Sequence, residues 1–191
     1  MDSVMTSSNS QRNRIHPHKF TLWIAIGSII MMFAGLTSAY IVKQAQPEWT
    51  TVLMPKMFYY STAVLLISSL TVQMALKAFK ERNMRQYRSL ITTTAVLGVV
   101  FLAMQLIGFQ QIWESGTDLR GSGGGQFLYI IFGLHGLHVI GGVIALLIMF
   151  FKAFSSKVRN YNPVSVELIS TYWHFVDLLW IYLFVFFLFT L

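Results

Sequence analysis

The sequence predicts an all-α membrane protein, a bundle of five transmembrane helices with its N-terminus in the cytoplasm and its C-terminus outside. Three observations carry this. Of 191 residues, 55% are hydrophobic and only 11% charged, against roughly 25% charged in an ordinary soluble domain. Five apolar segments each exceed the ~20 residues needed to cross a hydrocarbon core of about 30 Å. The basic residues are distributed unequally between alternate connections, as the positive-inside rule requires. The absence of cysteine excludes disulfides, thiolate metal sites and cysteine nucleophiles.

Residues 1–19 are mostly polar, with Ser, Asn, Gln and Arg, and read as a flexible cytoplasmic tail. A cleaved leader is not expected, because the first apolar run is too long for one. The membrane domain covers residues 20–191, with spans at about 20–42, 54–79, 90–113, 126–151 and 164–191. With no water in the bilayer core, each span must be helical to satisfy its own backbone. The connections are short and polar. The first holds Pro47 and Glu48, and the second, 80–89, is charged. The third ends in Gly121-Ser122-Gly123-Gly124-Gly125, a flexible hinge. The fourth is basic and ends at Pro163, a residue suited to a helix start. No internal or inverted repeat is evident.

Eleven of the fourteen Lys and Arg residues lie in the tail and in the second and fourth connections or the helix ends beside them; only Lys43, Lys56 and Arg120 lie on the opposite side. This asymmetry accounts for the net charge of +7 without a nucleic-acid partner. Lys80, Arg82, Arg85 and Arg88 are candidates for contact with anionic lipid headgroups. Trp23, Trp49 and Trp113 fall near the interfaces, where aromatic belts form. Gly27, Gly35, Gly98, Gly133, Gly136, Gly141 and Gly142 allow close helix approach.

The last span contains ELISTYWHFVDLLW, from Glu167 to Trp180. Ionisable groups in hydrocarbon mark a functional-site hypothesis. At 100° per residue Glu167 and His174 lie nearly on one line, Asp177 is one turn beyond, and Ser170 and Thr171 fill the gap. The fourth span offers His135 and His138, three apart on one face. At 1.5 Å per residue His138 lies about 18 Å from the outer end of its span and His174 about 15 Å from the inner end of its own. Both therefore fall near the midplane, and antiparallel neighbours pack together. His135, His138, Glu167, His174 and Asp177 are thus expected to form one polar cluster between these two helices. Three chemistries compete for it: haem or metal ligation by the histidines, a proton path, and a satisfied hydrogen-bond network that fixes helix register.

The runs FGLHGLHVIGG, from Phe132 to Gly142, and VELISTYWHFVDLLWIYLFV, from Val166 to Val185, resemble the last two helices of subunit III of haem–copper oxidases. The histidine pair, the glutamate seven residues before the later histidine, the Trp-His-Phe-Val-Asp run and Trp180 match in type and spacing. Phe33-Ala34-Gly35, the stretch 65–75, the basic loop 80–88 and Gln105 extend the resemblance upstream, so it covers nearly everything beyond the tail. The chain is similar to the short, five-helix bacterial form, which lacks the two N-terminal helices of the larger members.

The resemblance implies a supporting subunit of a proton-pumping terminal oxidase of the cytochrome c type, in the bacterial cytoplasmic membrane. It implies no catalytic, cofactor-binding or metal-ligating residue in this chain, with haem and copper in partner subunits. It implies direct contact with catalytic subunit I, association with other oxidase subunits, bound phospholipid, and a contribution to sustained proton uptake. His135, His138, Glu167, Trp173, His174 and Asp177 occupy family motif positions, with structural and lipid-adjacent roles implied. Two departures stand out: no carboxylate is present at Ser28-Ile29 or at Gly108, where many members carry one. Proton roles tied to those glutamates are not expected here. With two helices missing, another subunit or bulk lipid must cover the face they would close. The alternatives are subunit III of a quinol oxidase, a relative associated with nitric oxide reductase, and, in a different class, a small transporter or a haem-b protein.

Overall fold

The computed structural model describes residues 17–45, 54–114, 123–154 and 163–190. Among them are five helices and no strand: α1 (Pro17–Gln44), α2 (Met57–Lys80), α3 (Met84–Glu114), α4 (Gly123–Phe154) and α5 (Pro163–Thr190). All five are long and apolar enough to cross a membrane. Residues 1–16, Trp49, Gly121, Ser122 and the cations Arg120, Lys157 and Arg159 lie outside the described residues.

Each expected span is present, and most helices run past the hydropathy boundary. Alpha-helix α1 opens at Pro17, a residue whose missing N–H costs nothing in a first turn. Helix α4 starts within the glycine run, at Gly123, which shortens the expected hinge. The largest difference is at α3, which begins at Met84 where the sequence pointed to 90. Hydropathy marks where hydrocarbon ends, not where the hydrogen-bond ladder ends. The polar first turns of α3 stay helical because Asn83 caps them, its Oδ1 accepting from the Gln86 amide at 3.3 Å. Tyr87 anchors them, buried against Phe79 with ring centroids 5.1 Å apart. The charged connection 80–89 thus contracts to the turn Glu81-Arg82-Asn83. In it the Arg82 amide donates to the Phe79 carbonyl and the Asn83 amide to that of Ala78. Arg82 itself takes the left-handed conformation, φ 58°, at the position where helix ends usually place glycine.

Helices α2, α3, α4 and α5 pack in a ring, each against the next and α5 back against α2, with α1 outside the ring against α4 and α5. The inward residues explain this arrangement. In α2 they are Phe58, Ser61, Leu65, Ser68, Val72, Ala75 and Phe79. In α3 they are Tyr87, Ile91, Thr94, Gly98, Phe101, Gly108 and Ile112, with half-buried Gln105 completing the series. In α4 they are Leu128, Phe132, His135, Val139, Gly142, Leu146, Met149 and Ala153. Steps of three and four alternate throughout, the 3.5-residue repeat of left-handed coiled helices. Small residues in that repeat let the backbones close up, which is how helices associate without a hydrophobic driving force. Gly108 shows the limit: a Cβ there would stand 3.0 Å from the Phe58 ring.

Helix α1 buries a single face, Ile26, Phe33, Thr37 and Tyr40, and exposes Trp23, Ile24, Met31 and Ile41. Polar contacts among the described residues fix it along α5. Lys19 Nζ meets Glu167 Oε2 at 2.7 Å, Thr37 Oγ1 lies 2.9 Å from the Tyr182 hydroxyl, and Gln44 Nε2 donates to the Thr190 carbonyl at 2.9 Å.

Candidate functional site

The ring is filled from α5. Trp173 and Trp180, one heptad apart, are each 1% exposed and project into its centre. Trp173 lies in a slot between α3 and α4 that exists because both lack a Cβ there. An added methyl would stand 3.1 Å from its ring at Gly98 and 3.0 Å at Gly142. Trp180 is enclosed by Phe58, Phe101, Phe132 and His135, with ring centroids 5.2–5.7 Å away. Each indole N–H finds a hydroxyl on α2. Trp173 Nε1 donates to Ser68 Oγ at 3.2 Å, and Trp180 Nε1 to Thr62 Oγ1 at 3.0 Å. A buried indole needs such an acceptor, and α2 supplies the two hydroxyls six residues apart, close to the seven that separate the tryptophans.

The three midplane histidines face different partners. His135 is 2% exposed, stacked on Trp180 and edge-on to Phe33, and among the described residues neither ring nitrogen has a hydrogen-bond partner. His138 turns its Nδ1 to the Leu134 carbonyl at 2.7 Å, while its own carbonyl accepts from the Tyr172 hydroxyl at 3.1 Å. His174 faces α2, with Nδ1 2.7 Å from Ser69 Oγ. Asp177 is 3% exposed, and among the described residues no group is in hydrogen-bonding geometry at either carboxyl oxygen. Among the described residues no three His, Asp or Glu side chains gather closely enough to hold a metal ion.

The expectation of one cluster between α4 and α5 is therefore corrected. Glu167 belongs elsewhere: it bridges Lys19 of α1 at 2.7 Å and Lys80 of α2 at 3.1 Å, near the start of α5. His174 and Asp177 belong to the α2–α5 contact, and only His135 and His138 remain on α4. The reason is the ring itself. With α2 closing onto α5, the polar stripe of α5 has hydroxyl-rich α2 beside it, while the tryptophans take the side facing α3 and α4. Glu167→Gln is expected to lower stability by about 1 kcal/mol or less, as befits a partly exposed pair. The difference should shrink at high salt; thermal unfolding of the solubilised protein at two ionic strengths checks it.

The four candidate headgroup cations also separate. Lys80 is committed to Glu167, and the Arg88 guanidinium lies over the Phe154 ring at 5.7 Å. Arg82 and Arg85 are exposed beside them. Sequence reasoning passed over Thr62, Ser68 and Ser69 as acceptors for the indoles. The signal was available: the hydroxyl pairs 61–62 and 68–69 repeat at the spacing of the two tryptophans.

Comparison with known proteins bears on this arrangement. The sequence profile of the family described as cytochrome c oxidase subunit III matches residues 17–190. The probable cytochrome c oxidase subunit 3 of Nocardia farcinica (strain IFM 10152) is 34% identical over 193 residues, covering 95% of each chain. The similarly described protein of Mycobacterium tuberculosis (strain ATCC 25618 / H37Rv) is 31% identical, also over 95% of each. The cytochrome bo(3) ubiquinol oxidase subunit 3 of Buchnera aphidicola subsp. Acyrthosiphon pisum (strain APS) is 27% identical over 97% of this chain and 93% of its own.

Proposed function

The chain belongs to the cytochrome c oxidase subunit III family, and on that premise we propose that it serves as a supporting subunit that carries no redox centre of its own. It is subunit III of a bacterial terminal oxidase, a multi-pass protein of the cytoplasmic membrane that works in complex with other oxidase subunits. The observation that supports the non-redox reading is the divergence of its imidazoles. A bis-histidine haem or a compact metal site needs nitrogens that converge across a gap. Here the His135 ring is sealed by Trp180 and Phe33, His138 is bonded within its own helix, and His174 is turned to Ser69. Haem and copper then reside in partner subunits, and the tryptophan column holds a rigid face against catalytic subunit I.

Phospholipid is the second proposed partner. An apolar groove of roughly 270 Å³ opens between α3 and α4, walled by Phe101, Leu102, Phe109, Gly136 and Ile140. Its walls suit an acyl chain; Arg82 and Arg85, about 24 Å or more away along α3 at 1.5 Å per residue, are available to headgroups of other lipids at the basic end. Cytochrome c is the proposed electron donor, in line with how the more similar relatives are described. A quinol donor is the second reading, favoured by the Buchnera relative. Copurification separates them, because a copper-bearing cupredoxin-like partner accompanies only the cytochrome c form.

The N-terminus is proposed to be cytoplasmic. The Lys19–Glu167–Lys80 bridge gathers the start of α1, the end of α2 and the start of α5 at one end of the bundle. The Arg88–Phe154 contact brings the start of α3 and the end of α4 together as well. That end carries most of the positive charge. A periplasmically active reporter fused after Leu191 is expected to be active; a reporter active only in the cytoplasm would refute the orientation.

A further inference from the structure

We infer that the α3–α4 face at the basic end is a binding site for an anionic phospholipid, with one acyl chain in a slot between the two helices and the phosphate on Arg88 and Arg85. The inference rests on the lipid reading proposed above and adds a second groove, separate from the one walled by Phe101 and Phe109. The slot is lined by Thr92, Ala95, Val96 and Val99 of α3 and by Leu147 and Phe150 of α4, and holds roughly 270 Å³. From Thr92 to Val100 is about 12 Å at 1.5 Å per residue, close to the depth of one leaflet of a ~30 Å core. Spread over that length, the volume makes a slot about 5 Å wide, half the ~10 Å diameter of a helix. A methylene chain fits it, and a partner's transmembrane helix does not. Thr92 is the polar residue of the lining, and its hydroxyl already donates to the Arg88 carbonyl at 2.7 Å.

The same two helix faces carry the head site. On α3, Arg85, Arg88, Thr92 and Ala95 follow at steps of three and four, so both arginines share the slot's face and lie just beyond its mouth. On α4, Phe150 and Phe154 are one turn apart with ring centroids at 4.9 Å, and the Arg88 guanidinium lies over the Phe154 ring at 5.7 Å. The ring places the guanidinium at the mouth without neutralising it. No carboxylate neutralises it either. Helix α3 has none before Glu114, at its far end, and α4 has none. Residues 155–162, between α4 and α5, add two cations and no acid. Glu81 lies 4.0 Å from Lys77, and Glu167 is held by Lys19 and Lys80. A fixed, uncompensated guanidinium beside an apolar slot is complementary to a phosphate whose chain enters that slot. A zwitterionic lipid would bring its own ammonium into the same positive field, so a net anionic head is preferred.

Photo-crosslinking in the assembled oxidase, embedded in phosphatidylcholine vesicles, tests this. A trace of phosphatidylglycerol with a photoactivatable acyl chain is expected to label Val96, Val99 and Leu147 about fivefold more than phosphatidylcholine with the same chain, the preference that one basic contact gives at a membrane surface. Arg88→Gln is expected to remove most of that preference. Val99→Trp, at a position 48% exposed, is expected to abolish labelling of the slot by either lipid and to leave labelling of Leu106 and Ile140 in the other groove unchanged. Equal labelling by the two lipids in the parent, or a preference undiminished in Arg88→Gln, would overturn the head site. Labelling of Val96 and Leu147 that survives Val99→Trp would overturn the slot. Labelling confined to the other groove would sink this site alone, whereas a parent labelled in neither groove would sink the wider lipid reading with it. The comparison of the two lipids in the parent decides the matter even if a variant fails to assemble.

Discussion

Trp173→Ala is expected to destabilise the bundle by about 3 kcal/mol, the lower end of the range for buried tryptophan truncations in soluble cores. The lower end applies because lipid is as apolar as the core, so the hydrophobic transfer contribution largely drops out and lost packing remains. That loss is large here. The ring fills a slot defined by two glycines, Gly98 and Gly142, neither of which has a side chain that can move into the void. Truncation also removes the donor that satisfies Ser68. Trp23→Ala serves as the control, since Trp23 is 63% exposed and meets neither condition. Thermal unfolding of the solubilised protein should separate the two variants clearly. Equal melting of both would mean that the ring does not depend on the column.

Oxidase lacking this chain is expected to begin turnover at close to the parental rate and then lose activity several-fold sooner. The initial rate follows from the non-redox proposal: removing a chain that holds no haem or copper leaves the electron path in place. The shortened lifetime follows from the proposed contact with catalytic subunit I, whose covered face would be exposed when this chain is removed. Progress curves of oxygen consumption for matched preparations check it. Inactivity from the first turnover would assign this chain a direct part in the reaction.

The architecture was legible in the sequence because the bilayer imposes few solutions. Five runs beyond ~20 apolar residues can only be five helices, and all five are present. Their ends were less legible, since α3 carries its first turns on a capped, charged stretch that hydropathy reads as a loop. The site was half legible. Intramembrane ionisable residues singled out the Glu167–Trp180 stretch, and the oxidase-subunit resemblance rested on the same residues. Their grouping was not legible, because periodicity along one helix shows which side chains share a face but not which helix that face meets. Pairing α5 with α4 followed from adjacency along the chain. The ring closes α5 onto α2 as well, and that long-range contact carried His174 and both indole N–H groups to hydroxyls on a helix the motif did not include. Glu167 shows the same effect: its two lysines come from α1 and α2.

The most direct test of the central claim is the optical spectrum of this chain purified alone, taken beside that of the oxidase from which it was removed. The Soret band is expected to stay entirely with the depleted oxidase, and the isolated chain to show only its tryptophan and tyrosine absorbance. A Soret band retained by the isolated chain would contradict the supporting, non-redox role.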